Sequence, residues 1–207
     1  MERENPQTKN VSQSAVKILK ADDFIDYDVV FLSKHLLGKR LMTYRDGVVT
    51  GGLIIETEAY RAPEDRASHA FNNQRTKRNE AMFLSGGRTY IYLCYGIHTL
   101  FNIVTGKENI PHAILIRAVL PTIGIETMLK RRFLSEGAKN ISSGPGLVSQ
   151  ALGITLADNN QLLKENFIWL EDIGNNLPDE AIVKSPRVGV DYAGSWASMP
   201  WRFRLGV

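Results

Sequence analysis

A single mixed α+β domain is the fold class this sequence predicts, on three observations. Two β-prone runs, Lys39–Thr43 and Val48–Glu58, flank Arg45-Asp46-Gly47, and two such runs across a glycine-containing turn specify a hairpin. A longer β-prone run, Thr89–Thr105, is interrupted only by Gly96, as a bulge or turn would interrupt it. Helical patterns occur elsewhere in the chain. No repeat, long linker or low-complexity block divides its 207 residues, a length suited to one core.

In order along the chain, residues 1–20 are expected to form a flexible tail and residues 21–207 the folded domain. The first fifteen, MERENPQTKNVSQSA, are polar and lack the apolar stretch of a secretory signal. Ala21–Leu37 reads as helical: Val30, Phe31, Leu36 and Leu37 keep an approximate helical rhythm, with Gly38 where a C-terminal cap would stand. In the second hairpin strand, Leu53, Ile55, Thr57 and Ala59 are expected on one face and Ile54, Glu56, Glu58 and Tyr60 on the other. Thr76–Leu84 (TKRNEAMFL) reads as a short helix ending near Gly86-Gly87. The Thr89–Thr105 run predicts a hairpin with Tyr95, Gly96, Ile97 and His98 near its tip. Ala113–Val119 predicts a strand, Thr122–Arg132 a helix with a basic end, and Gly144-Pro145 the opening of a further helix. Ile168–Glu171, Arg187–Val190 and Arg202–Leu205 read as short strands.

Composition narrows the function classes. A hydrophobic content of 43% with 23% charged residues is that of an ordinary globular chain. A net charge of +3 and a pI of about 9.0 permit a nucleic-acid partner without demanding one. The single cysteine, Cys94, excludes an intrachain disulfide and a cysteine metal cluster, and fits a reducing, cytoplasmic compartment. No apolar run approaches the roughly 18 residues of a membrane span. The four histidines, at positions 35, 69, 98 and 112, have no zinc-site spacing. There is no GxGxxG, Walker loop or GxSxG elbow.

Chemistry concentrates in ETEAYRAPEDRASHAF, Glu56–Phe71. Glu56 and Glu58 end an apolar strand. They read either as solvated strand carboxylates or, at the lip of a buried sheet, as a general base and a charge partner. His69 reads as a hydrogen-bonded structural residue, a ligand or a base. Tyr90 and Tyr92 are expected to share a strand face, half-buried. Tyr95, exposed at a hairpin tip, is a candidate wedge between stacked bases. Ser143-Gly144-Pro145-Gly146 offers either a phosphate site or a plain helix start.

These segments align with a known pattern. ETEAYRAPEDRASHA, RTKRNEAMF, TYIYLCYGIHTLFNIVT, AILIRAVLP, SSGPGLVSQALGI, IWLED and PRVGVDYAGSWASMPWRF stand in the order and spacing of the alkyladenine (3-methyladenine) DNA glycosylases. The chain resembles that family from about Phe31 to Phe203. The resemblance implies a curved antiparallel, open-barrel-like sheet surrounded by helices, with a protruding hairpin that enters the minor groove. It implies a monomeric, monofunctional enzyme that needs no cofactor or metal and removes alkylated or deaminated purines from double-stranded DNA. Glu58 matches the family's water-activating base. Arg117 matches the arginine that helps hold that water, and Val188 the residue whose carbonyl does the same. Tyr60, His69 and Tyr92 match the residues that grip the flipped base, and Asn102 a pocket-wall asparagine bearing on which purines fit. Tyr95 matches the tyrosine that fills the vacated gap. Thr76, Arg78, Met82 and Gly189 are the expected DNA-backbone contacts. Arg75, Lys77 and the basic run Lys130-Arg131-Arg132 are further phosphate candidates, or simply a solvated face.

Overall fold

In the computed structural model, residues 16–175 and 177–206 are described. Among them, nine strands form one antiparallel sheet: β1 (Lys17–Ile18), β2 (Arg40–Arg45), β3 (Val48–Arg61), β4 (Arg88–Cys94), β5 (His98–Thr105), β6 (His112–Ile123), β7 (Ile168–Asp172), β8 (Ile182–Ser185) and β9 (Arg202–Leu205). Seven follow the order β1-β7-β2-β3-β6-β5-β4, while β9 pairs with β3 and β8 with β9.

The axis is β3. One of its edges runs along β6 for most of its length. The other is shared: β2 pairs with residues 48–53, and β9 takes over at Glu56–Glu58. The register against β6 shifts between Ile54 and Thr57, where this handover occurs. Such irregularities bend a strand and increase its twist, and here the bend leaves the sheet curved and open. Nearby, a side chain on Gly52 would place its Cβ 2.1 Å from the carbonyl oxygen of Leu120, so only glycine allows β3 and β6 to approach at this point.

Among the described residues, three α-helices cover the sheet: α1 (Val29–His35), α2 (Ile125–Arg131) and α3 (Pro145–Leu152). They bury Leu32, Leu36, Met128, Val148 and Leu152 against Leu41, Ile54, Phe101, Ile114, Ile116 and Phe203. Each such aliphatic or aromatic side chain contributes about 1.5–3 kcal/mol when fully buried. A smaller cluster of Met82, Phe83, Tyr90 and Val104 lies under the β4–β5 hairpin.

Several expectations are corrected. The helical stretch Ala21–Leu37 is a 3-10 turn, Ala21–Phe24, followed by α1. The break falls before Asp28, whose carboxylate accepts from the amides of Val30 (2.9 Å) and Phe31 (3.1 Å) and so starts a new helix. Thr76–Leu84 is helical only as a 3-10 turn, Glu80–Phe83. Asn79, just before it, uses its side chain to accept from Thr76 and to donate to the carbonyls of His69 and Gln74, a local competition that disfavours a regular helix. Arg187–Val190 is not a strand, because Arg187 is drawn into the interior and Gly189 takes φ +72°. The pairing position beside β9 goes to Ile182–Ser185 instead. β6 continues past Val119 to Ile123, and α2 starts only after Gly124, at φ +68°. Order also begins before residue 21, since Lys17 and Ile18 pair with β7. The rest of the expected tail lies outside the described residues.

Candidate active site

A cavity of about 600 Å³ opens between the end of β3, the β4–β5 hairpin, the start of α3 and the loop at Val188. Tyr60, His69, Tyr90, Tyr92, Asn102, Arg117 and Val188 all line it, so strands distant in sequence converge on one pocket. Its size suits an aromatic ligand the size of a nucleobase.

Directly behind Tyr60, Arg117 and Val188 of this lining, Glu58 is fully buried, and its carboxylate is held by three donors. Oε1 accepts from the Val188 amide at 2.8 Å, and Oε2 from the Tyr60 hydroxyl at 2.8 Å and Arg117 Nη1 at 3.4 Å. A buried carboxylate needs such partners to remain charged. Glu56 lies next to it: one of its oxygens accepts from Arg117 Nε at 2.9 Å and Arg202 Nε at 2.6 Å. The two carboxylates therefore share Arg117, as the predicted common face of Glu56, Glu58 and Tyr60 requires, but Ile54, expected on that face, is turned to the other side and into the core by the register shift between Ile54 and Glu56. Arg117 itself is tied to α3, because its carbonyl accepts from the Gly144 amide at 3.0 Å. That bond uses the Gly144 amide of Ser143-Gly144-Pro145-Gly146, which acts as a helix start with Pro145 in the first turn.

The aromatic wall is built from β4 and the loop after β3. The ring of His69 meets Tyr92 edge-on at 4.6 Å, and Tyr90 lies 5.5 Å from Tyr92. His69 Nδ1 and the Tyr90 hydroxyl share a hydrogen bond of 2.7 Å. Burial lowers His69 from 6.5 to about 4, with the positive charge of Arg78 adding to the effect, so the imidazole is neutral at pH 7. The ring is crowded by protein yet open to water on its cavity side, because the space beside it is the pocket itself. Burial, reinforced by the charge of Glu58, raises Tyr60 well above the usual tyrosine value, and burial likewise raises Tyr90 and Tyr92. Tyr60 thus stays a phenol that donates to Glu58. Asn102 is buried on β5 of the hairpin, donating to the carbonyl of Tyr90 at 3.0 Å.

Tyr95 lies at the hairpin tip as expected, 89% exposed and at φ +50°. An aromatic residue held in the left-handed region is unusual and costs backbone energy. Ile97 beside it is also exposed. The tip end of the hairpin leans on α3: a Cβ on Gly146 would come 3.1 Å from His98 Nδ1. This contact has no counterpart in the sequence pattern.

The expected phosphate contacts divide. Thr76 and Gly189 are exposed, and Gly189 lines the cavity mouth. Arg78 lies over the Tyr92 ring at 5.2 Å, at the rim. Met82 is buried and lines the cavity, and its amide donates to Asn79 at 2.9 Å, so it presents no free donor. Arg75 is engaged by Glu80, at 2.5 and 2.9 Å. Arg131 and Arg132 are clamps rather than free cations. Arg131 donates to Thr50 and to the carbonyl of Ala151, and Arg132 to the carbonyl of Ile141 and to Gln150. Lys77 and Lys130 remain exposed.

Two functional supports escaped the sequence reading, Arg202 and the buried pair Asp65–Arg187, while Tyr90, expected to be half-buried beside Tyr92, is buried. Asp65 and Arg187 are fully buried and joined at 2.5 and 2.9 Å. Arg187 also donates to the carbonyls of Ala59 and Trp196, and its guanidinium lies 4.8 Å from the Tyr60 ring and 5.2 Å from that of Trp201. The only available signal was the position of Arg187 directly before Val188. Its partner is 122 residues away, and no local pattern connects them.

Chemically, this arrangement can grip a planar ring between aromatic side chains and hold a charged carboxylate beside it. Comparison with known proteins points the same way. Residues 23–206 match the sequence profile of the methylpurine-DNA glycosylase family. A Chlamydia pneumoniae protein with the provisional name 3-methyladenine DNA glycosylase is 46% identical over 191 residues, covering 91% of this chain and 95% of that protein. A Bacillus cytotoxicus protein with the same provisional name is 37% identical over 188 residues, covering 87% of this chain and 92% of its own length. The chain belongs to the methylpurine-DNA glycosylase family.

Proposed function

We propose that this chain is a DNA repair glycosylase that turns alkylated or deaminated purines out of duplex DNA and hydrolyses their N-glycosyl bond, with Glu58 activating the water. The substrates envisaged are of the 3-methyladenine, 7-methylguanine, hypoxanthine and ethenoadenine class. The observation that carries the reading is the buried Glu58, held by Tyr60, Arg117 and Val188, three residues that line an aromatic cavity.

Extruding a base costs a few kcal/mol. Stacking on aromatic rings returns about 1–3 kcal/mol per base, and Tyr60, His69 and Tyr92 supply those faces. Tyr95, projecting from the hairpin, fills the gap left in the duplex. Purines carrying a fixed positive charge gain further from cation–π attraction. Water then attacks the sugar carbon as the bond to the base breaks. Glu58 takes its proton, and its charge stabilises the oxocarbenium character of the transition state. Arg117 and the Val188 carbonyl help hold the water, and Asn102 limits which purines fit. Thr76, Arg78 and Gly189, all exposed, contact the DNA backbone. The protein works as a monomer in the cytoplasm and uses no cofactor.

The test is single-turnover base release from duplex oligonucleotides carrying hypoxanthine or ethenoadenine, and from methylated DNA, for wild type and Glu58→Gln. Release by wild type alone, with lesion binding kept in the variant, is expected. A loss of about 10²–10⁴-fold is the usual size of a general-base contribution. Equal release by Glu58→Gln would remove it as the base, and lesion binding by wild type without release would leave only a damage-binding protein.

A further inference from the structure

We infer that Glu56 is a positioning residue for the reaction: by engaging Arg117 Nε it limits Arg117 to one long contact with Glu58, so that the Glu58 carboxylate keeps the capacity to take a proton from water. The inference rests on the reading of Glu58 as the base, and no feature of the family resemblance assigns Glu56 a role.

The geometry carries it. A guanidinium is a rigid fork that prefers to grip one carboxylate with two parallel N–H bonds. Arg117 does not grip Glu58 in this way. Its Nε is engaged by Glu56 at 2.9 Å, and its Nη1 makes only a long contact of 3.4 Å to Glu58 Oε2. Glu56 is itself fixed, since Arg202 Nε donates at 2.6 Å to the same oxygen that receives Arg117. Arg202 reaches it from β9, as the cross-strand neighbour of Glu58. The result is a balanced square of two carboxylates and two guanidiniums, with exposures of 15% for Glu56, 14% for Arg117 and 23% for Arg202.

Removal of the charge on Glu56 upsets this balance. Arg117 and Arg202 then face one carboxylate instead of two. The free fork of Arg117 turns onto Glu58, where it occupies the oxygen edge that should meet water and stabilises the charged form of the base. Both effects weaken proton abstraction. The other groups facing Glu58 do not compensate: Tyr60 on β3 and the Val188 amide are already bound to it, Arg187 is committed to Asp65, and Tyr92 on β4 is a neutral phenol.

The experiment follows single-turnover release from a hypoxanthine duplex against pH for wild type, Glu56→Gln and Glu56→Asp, with thermal melts and lesion-binding titrations alongside. Glu56→Gln should lose about 10- to 100-fold in rate at pH 7 while lesion affinity changes little. The acid limb of its pH–rate profile should move down by about one unit or more, as expected when an arginine closes on a carboxylate. Glu56→Asp, which keeps the charge, should place the limb between the two. If Glu56→Gln does not fold, the Glu56→Asp limb still decides, because a shift without a drop in melting temperature supports the role. An unmoved limb in every folded variant, whatever the rate, would overturn the inference and leave Glu56 a structural ion pair. A wild type that releases no base would instead fail the glycosylase reading itself.

Discussion

Replacing Asp65 by Asn tests whether a buried ion pair assembles the site. In the folded protein Asp65 and Arg187 are fully buried and share two contacts. Asp65 also accepts from the amides of Arg61 and Ala67, fixing the loop that carries His69. Arg187 holds the carbonyls of Ala59 and Trp196 and stands beside Val188. The Asn amide would turn a donor towards a guanidinium that has only donors, and the arginine charge would be left uncompensated in the interior. Breaking such a pair costs about 3–5 kcal/mol, a large part of the roughly 5–15 kcal/mol that keeps a domain folded. At about 2–4 °C per kcal/mol for a chain of this size, the melting temperature should fall by roughly 6–20 °C. Circular dichroism melts of wild type, Asp65→Asn and Asp65→Asn/Arg187→Met measure this. The double variant should recover part of the loss, because removing the second partner also removes the stranded charge. A single variant melting within about 3 °C of wild type, or a double variant no more stable than the sum of the two single losses, would refute the reasoning.

Two further outcomes follow from the same geometry. Tyr95→Gly relieves a left-handed residue at an exposed tip, so stability should stay within about 1 kcal/mol of wild type while release from duplex DNA falls sharply; equal loss of activity on a free nucleoside would show that the residue acts elsewhere. His69 sits at about 4 when folded and 6.5 when unfolded, so its contribution is complete above pH 6.5 and is lost as pH falls through 4, where the unfolded chain binds the extra proton first. Because its cavity side is wet, screening reduces this to roughly 1 kcal/mol; urea melts at pH 7 and 4.5 should show a smaller difference for His69→Gln than for wild type, and identical differences would contradict the assignment.

Local physics was enough to read much of this molecule from its amino-acid sequence. The two hairpins follow from β-prone runs broken by Asp46-Gly47 and Gly96, and the start of α3 from Gly144-Pro145. The common face of Glu56, Glu58 and Tyr60 follows from strand alternation, and the three share Arg117 or each other as partners, but alternation does not foresee the register shift that removes Ile54 from that face. What local signals could not supply was long-range pairing. No spacing connects Asp65 to Arg187 or Glu56 to Arg202, because the partners stand 122 and 146 residues apart and meet only in the folded chain. The basic run at Lys130–Arg132 looked like a solvent-facing patch until the docking of α2 against α3 turned two of its arginines inward as clamps. The sequence by itself determined which side chains could do the chemistry. Only the tertiary structure decided which of them are buried, charged and held within reach of one another, because burial and ion pairing depend on neighbours that the chain brings together from far along its length.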